Sequence, residues 1–105
     1  MRILIIEPRK RPRSGDVPNE LEKIQRMVGG YIETARCFPD GAVLICNEEG
    51  KIAGLPFNRP LRDDRGKIYD CVVGTCIVIG TAGEEFTGLT DAQVARYTKM
   101  FWGFW

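Results

Sequence analysis

The sequence predicts one α+β domain: a mostly antiparallel sheet of about five or six strands with two packed helices, in the order β-α-β-β-β-β-β-α. Three observations carry this. The chain has 105 residues, near the commonest size of a single domain and too few for a second core. Short apolar or alternating runs recur between clusters of glycine, proline, asparagine and aspartate, which is the pattern of strands and turns. Two stretches, one near each end, instead space their apolar residues at helical intervals.

The elements follow in order. Residues 2–7 form an isoleucine-rich run ended by Pro8 and read as a buried strand. That strand should lie within the sheet, because buried backbone must be paired. Arg9-Lys10-Arg11-Pro12-Arg13-Ser14-Gly15 reads as a basic loop. Asp16, Pro18 and Asn19 suit a helix start, and Leu21, Ile24, Met27 and Val28 fall on one face, so 19–28 is predicted helical, with Gly29-Gly30 ending it. Tyr31 to Phe38 alternates and reads as a strand, with Pro39-Asp40-Gly41 as a turn. Ala42 to Cys46 is the next strand, and Asn47-Glu48-Glu49-Gly50 is predicted to reverse the chain into a returning strand, Lys51 to Gly54. Leu55 to Gly66 carries Pro56 and Pro60, which disfavour a central strand, so a structured polar loop or one helical turn is expected. Ile68 to Ile79 resumes strand character, with Gly74-Thr75 marking a bend, a bulge or a close approach of backbone or ligand. Thr90-Asp91-Ala92-Gln93 fits a capping box, flanked by Leu89 and Val94 as a hydrophobic staple, and opens the last helix. The chain ends Phe101-Trp102-Gly103-Phe104-Trp105.

Composition narrows the function. Hydrophobic residues make up 44% and charged residues 28%, the balance of an ordinary globular domain. Fifteen Lys+Arg against fourteen Asp+Glu leave a net charge of +1. That excludes the dense negative surface of a DNA mimic and gives no overall positive excess for gripping nucleic acid. Met1 to Pro8 is too short for a signal sequence, and no apolar run nears the ~20 residues that span a bilayer. The expected location is the cytoplasm of the cell that makes it, with no membrane partner.

The chain has no histidine, the commonest general base and metal ligand. Cys37, Cys46, Cys71 and Cys76 form no C-x-x-C pair and read as small strand hydrophobes in a reducing compartment. Adjacent carboxylates at Glu48-Glu49, Asp63-Asp64 and Glu84-Glu85 read as solvated turns. No catalytic residue, metal or cofactor is expected.

Several stretches stand together in a recognisable order: Val28-Gly29-Gly30-Tyr31-Ile32-Glu33, Asn47-Glu48-Glu49-Gly50-Lys51, Gly54-Leu55-Pro56-Phe57-Asn58-Arg59, and Val73-Gly74-Thr75-Cys76-Ile77-Val78-Ile79-Gly80. Gly83-Glu84-Glu85-Phe86 and Leu89-Thr90 follow. In this order and spacing the chain resembles domain of unknown function 3846 over about residues 2–101. Members are similar small proteins of phages and mobile elements, some of them fused beside anti-restriction domains. The resemblance implies a counter-defence or element-maintenance setting and no assigned catalytic residues. The aromatic end, Trp102 to Trp105, departs from the family's usual pattern.

Asn58, Arg59 and Arg62 are the leading candidate ligand-binding residues. Guanidinium suits phosphate, an asparagine amide can pair with a base, and flanking prolines would hold both in place. Pairing of the arginines with Asp63, Asp64 or Glu33 is the competing reading. Tyr31 could stack on a base, and Glu33 and Thr75 complete the candidate set. Phe101, Trp102, Phe104 and Trp105 are expected to mediate oligomer or partner contact.

The expected function is sequestration of a nucleotide-derived immune signal, without cleavage, by a homo-oligomeric phage or mobile-element counter-defence protein in the host cytoplasm. One alternative is a protein-binding inhibitor of a host defence enzyme. A second is a nucleic-acid-binding accessory protein. On the first reading Arg59→Ala should abolish ligand capture with little change in stability.

Overall fold

The structure is a computed structural model that describes residues 1–103. Its elements are β1 (Arg2–Ile6), β2 (Arg13–Asp16), α1 (Leu21–Val28), β3 (Ile32–Cys37), β4 (Ala42–Asn47), β5 (Phe57–Arg62), β6 (Ile68–Val73), β7 (Cys76–Ala82), β8 (Glu85–Thr87) and α2 (Asp91–Met100). The main sheet runs β2-β1-β7-β4-β3, entirely antiparallel, with β8 added to the far end of β7. A second, two-stranded sheet pairs β5 with β6. The α+β class and the order of strand, helix, antiparallel strands and helix are as predicted.

The apolar runs are continuous because both faces of the sheet are covered. Leu4, Ile6, Leu44 and Val78 face one side, where they meet Leu61 and Val72 of the β5–β6 hairpin and Leu89, Tyr97 and Phe101 around α2. Ile3, Ile5, Val43, Ile45, Ile77 and Ile79 face the other side and pack with Val17 and with Ile24 of α1. Alternation along β1 and β7 thus divides one apolar run between two cores. Burying these side chains on both sides supplies the main driving force of the fold.

Local chemistry explains the ends of the helices. Gly29 adopts φ 81° and closes α1, with its N–H bonded to Gln25 O. At α2, Thr90 Oγ accepts the Gln93 N–H at 3.1 Å, and Gln93 Oε1 accepts the Thr90 N–H at 2.9 Å, so the predicted capping box forms. The start of α1 differs: Glu20 is the N-cap and gives no side-chain cap bond.

Three segments depart from the sequence reading. Arg13–Asp16, read as loop and helix cap, is β2, because β1 needs a partner along its outer edge. Lys51–Gly54, read as a returning strand, is a series of turns. Both edges of β4 are already taken by β3 and β7, and the Asn47 side chain accepts Glu49 N–H at 2.8 Å to start the turn instead. Phe57–Arg62, read as a loop, is strand β5. It tolerates Pro60 because it lies in a two-stranded sheet whose register shifts on both sides of that residue.

No described helix is long and apolar enough to cross a membrane.

Candidate functional site

Asn58 and Arg59 are buried inside the protein. Both are 1% exposed. Asn58 Nδ2 donates to Ile6 O at 3.0 Å and Gly74 O at 2.7 Å, joining the end of β1 to the β6–β7 bend. Arg59 Nε donates to Phe101 O at 3.0 Å, Nη1 to Glu7 O at 3.2 Å and to Asn58 Oδ1 at 2.6 Å, and Nη2 to Lys10 O at 2.6 Å. Neither the expected open placement nor, among the described residues, the competing pairing with Asp63, Asp64 or Glu33 describes them. Backbone carbonyls left by the loop after β1 and by the end of α2 needed donors, and these two side chains supply them. Burial lowers the Arg59 pKa from its usual value, the neighbouring Arg11 charge adds to that, and Cys76 opposes it.

Arg59 nevertheless forms part of the wall of a hollow of about 150 Å³ between β3, β5 and the end of α2. Arg36 and Arg62 flank this hollow, Pro60, Leu61 and Phe101 line its apolar part, and Met100 and Gly103 border it. Among the described residues the lining contains no carboxylate. Neither Arg36 nor Arg62 is ion-paired among the described residues. Arg36 lies 5.5 Å from the Phe38 ring centroid and 5.8 Å from that of Tyr69, and donates to Arg62 O and, at 3.4 Å, to the Tyr69 hydroxyl. Arg62 donates to Gly66 O at 2.9 Å. Each guanidinium carries five N–H groups, so these bonds leave donors on both that can meet an anion.

The remaining predicted residues are dispersed. Tyr31 is 69% exposed beside the Gly29-Gly30 cap. The N–H groups of Gly29 and Gly30 both bond Gln25 O, so they form no anion nest. Glu33 lies with Cys46, Lys51 and Asp70 in a polar cleft of about 240 Å³ between the two sheets. Thr75 lines a third hollow with Pro8 and Leu55. Of the expected contact residues, Phe101 is corrected to the core: it is 5% exposed and packs edge-on to Phe38, because the last turn of α2 closes that cluster. Trp102 is half exposed, with the Arg11 guanidinium 4.7 Å from its ring centroid. Phe104 and Trp105 lie outside the described residues.

Arg36 and Met100 were missed in the sequence. Arg36 gave no signal there, being one cation in an alternating strand; only the hairpin folding across β3 brings it to Arg62.

The two buried thiols are held quiet. Burial, helped by the Glu33 charge, pushes the Cys46 thiol up to about 11, and burial pushes Cys76 up to about 12. Both are therefore protonated near neutrality and poor nucleophiles. Among the described residues no group of three or more Cys, Asp or Glu side chains is arranged to hold a metal ion.

The fold and this hollow define a small α+β domain with an arginine-flanked concavity. Residues 1–102 match the family described as Domain of unknown function (DUF3846), and the chain belongs to it. Comparison with curated proteins and with solved structures gave no match.

Proposed function

We propose that this protein is a non-catalytic binding module of a phage or mobile element that sequesters a nucleotide-derived immune signal in the host cytoplasm, using the hollow between Arg36 and Arg62. The observation that supports this most is the lining: among the described residues, Arg36 and Arg62 carry no ion pair and the concavity they flank has no acidic side chain. Such a lining attracts a phosphate-bearing ligand and offers it charge-assisted hydrogen bonds. The setting is the one the family resemblance implies. The site moves from Asn58-Arg59 to Arg36-Arg62, with Arg59 as support behind it.

The test is calorimetry and thermal shift with a panel of cyclic dinucleotides, ADP-ribose derivatives and mononucleotides. A ligand raises the melting temperature by mass action, and Arg36→Ala with Arg62→Ala should remove that rise. No stabilisation by any member would sink the proposal.

A second reading, inhibition of a host defence enzyme by direct contact, draws on Met100 and Trp102. They are 52% and 50% exposed at the end of α2, and an exposed aromatic beside arginine is a common interface anchor. Trp102→Ala would weaken partner capture on that reading and leave nucleotide binding in place.

A further inference from the structure

We propose that the turn between β1 and β2, with Trp102 beside it, is a contact surface for single-stranded nucleic acid. Arg9, Lys10, Arg11 and Arg13 meet phosphates there, and the Trp102 indole stacks on a base. The exposed residues it uses are not those of the Arg36–Arg62 hollow, so it does not depend on the nucleotide reading.

The net charge of +1 hides an uneven distribution. Residues 1–13 hold five of the fifteen Lys+Arg and one of the fourteen Asp+Glu, so the rest of the chain is net acidic. Arg9, Lys10, Arg11 and Arg13 are all exposed around the one turn. Glu7 pairs with Lys10 at 3.5 Å and with Arg13, but surface pairs of this kind are weak, and the turn keeps a positive excess. Arg9 makes no ion pair among the described residues.

Arg9 is also the sole non-glycine residue with a positive φ, 60°, among the described residues. Lys10 N–H bonds Glu7 O at 3.2 Å and closes the turn Glu7-Pro8-Arg9-Lys10, in which the left-handed position after proline ordinarily falls to glycine. A side chain there strains the backbone, and such strain persists where the surroundings fix it and clusters at functional sites. Here Arg59 fixes it, donating to Glu7 O at 3.2 Å and to Lys10 O at 2.6 Å, the two ends of the turn. Its Nε also donates to Phe101 O, so one guanidinium sets the turn against the residue preceding Trp102. Arg11 completes the join: it donates to Trp102 O, and its guanidinium lies 4.7 Å from the indole centroid.

Cations strung along a turn suit a chain of phosphates, and a half-exposed indole suits an unstacked base. A duplex offers the same phosphates but keeps its bases stacked inside, so the indole favours a single strand. An acidic peptide would satisfy the cations and give the indole no base to stack on.

Fluorescence anisotropy on the full chain tests this with a labelled oligothymidylate of about 16 nucleotides, and with a duplex of equal length and polyglutamate as competitors. The single strand should bind tighter than the duplex, and polyglutamate should displace it poorly. Log affinity should fall against log salt with a slope of about −2 to −3, as for three or four neutralised phosphates. Trp102→Ala should weaken binding by about fivefold to a hundredfold, the range for stacking one base. Arg9→Gly relieves the strained backbone, so it should leave the melting temperature no lower while reducing the salt slope by about 0.7. Arg36→Ala with Arg62→Ala should leave oligothymidylate affinity unchanged. No binding at low salt, or a wild-type slope in Arg9→Gly, would overturn the proposal. Polyglutamate competing as well as unlabelled oligothymidylate would overturn it by assigning the surface to an acidic protein segment. Loss of oligothymidylate binding in the Arg36, Arg62 double variant would overturn it by placing the strand in the hollow.

Discussion

Arg59 Nε donates to the carbonyl of Phe101 at 3.0 Å, and this bond ties the small β5–β6 sheet to the end of the last helix. The same guanidinium reaches Glu7 O and Lys10 O, so one buried cation holds three separate segments together. A cation at a helix C-terminus also meets the negative end of the helix dipole.

Arg59→Ala should therefore destabilise the protein. Several buried carbonyls lose charge-assisted bonds and are left without donors, a loss of about 3 kcal/mol. For a domain of this size that lowers Tm by about 15 °C. Arg59→Lys should recover little, because one ammonium cannot reproduce the planar fork. Urea unfolding of the two variants reads this directly. A wild-type midpoint for Arg59→Ala would show that the clamp is dispensable, and would restore the sequence expectation of a side chain that can be removed at little cost.

That reversal shows what the residues alone reveal. Elements fixed by local chemistry were legible: the Thr90–Gln93 capping box, the Gly29 cap and the apolar run of β1. Elements fixed by pairing were not. Lys51–Gly54 has a hairpin's composition, but β4 has no free edge to accept it. Phe57–Arg62 has a loop's prolines, yet it becomes a strand against β6. Asn58 and Arg59 carry dense hydrogen-bonding capacity. Whether that capacity meets a ligand or the chain's own carbonyls depends on contacts 42 to 52 residues away in sequence, which no local pattern encodes.

Acid should weaken the fold through Asp40. Burial raises its pKa, but bonds from the Tyr97 hydroxyl, Ala42 N–H and Gln93, with the Arg96 charge, outweigh this and leave it below the usual value. Glu7 beside Arg13 and Asp70 beside Lys51 are lowered likewise. A carboxylate with a depressed folded pKa stabilises fully above the unfolded value near 3.9, and that contribution fades as pH falls through the folded pKa. Stability should thus drop below about pH 4, and Asp40→Asn should flatten that drop. Tyr97 supplies the opposite limb. Burial, then its bond to Asp40, raises it from 10.0 to about 12, so its contribution is complete below pH 10 and is lost between 10 and 12. Tyr97→Phe should cost about 1 kcal/mol at neutral pH and blunt the alkaline limb. Denaturant midpoints across pH would expose an unchanged profile in either variant.

Gly74 and Gly54 share a left-handed backbone, at φ 68° and 70°, but not the same space. A Cβ at Gly74 would sit 2.7 Å from Leu55 Cδ1, whereas at Gly54 nothing lies within 4 Å. Gly54→Ala should cost only the backbone penalty, about 1 kcal/mol. Gly74→Ala adds a collision in the bend that also presents its carbonyl to Asn58, and should cost about 2 to 3 kcal/mol. Equal losses in thermal unfolding would mean that Leu55 moves aside freely.

Binding and stability should separate between Arg59 and Arg36. Arg36 is placed by the Tyr69 hydroxyl and by the Phe38 and Tyr69 rings and carries no ion pair among the described residues, so Arg36→Ala should change stability by no more than about 0.5 kcal/mol. Losing one charge-assisted bond to a phosphate should nonetheless weaken affinity by about tenfold to a hundredfold, the equivalent of 1.5 to 3 kcal/mol. Tyr69→Phe keeps the ring and removes only a 3.4 Å hydrogen bond, so its loss should be smaller than that of Tyr69→Ala. Parallel calorimetry and unfolding on these variants would refute the assignment if Arg36→Ala unfolded the chain or left affinity intact. In the first case the guanidinium would be a strut like Arg59, and in the second the ligand would sit elsewhere.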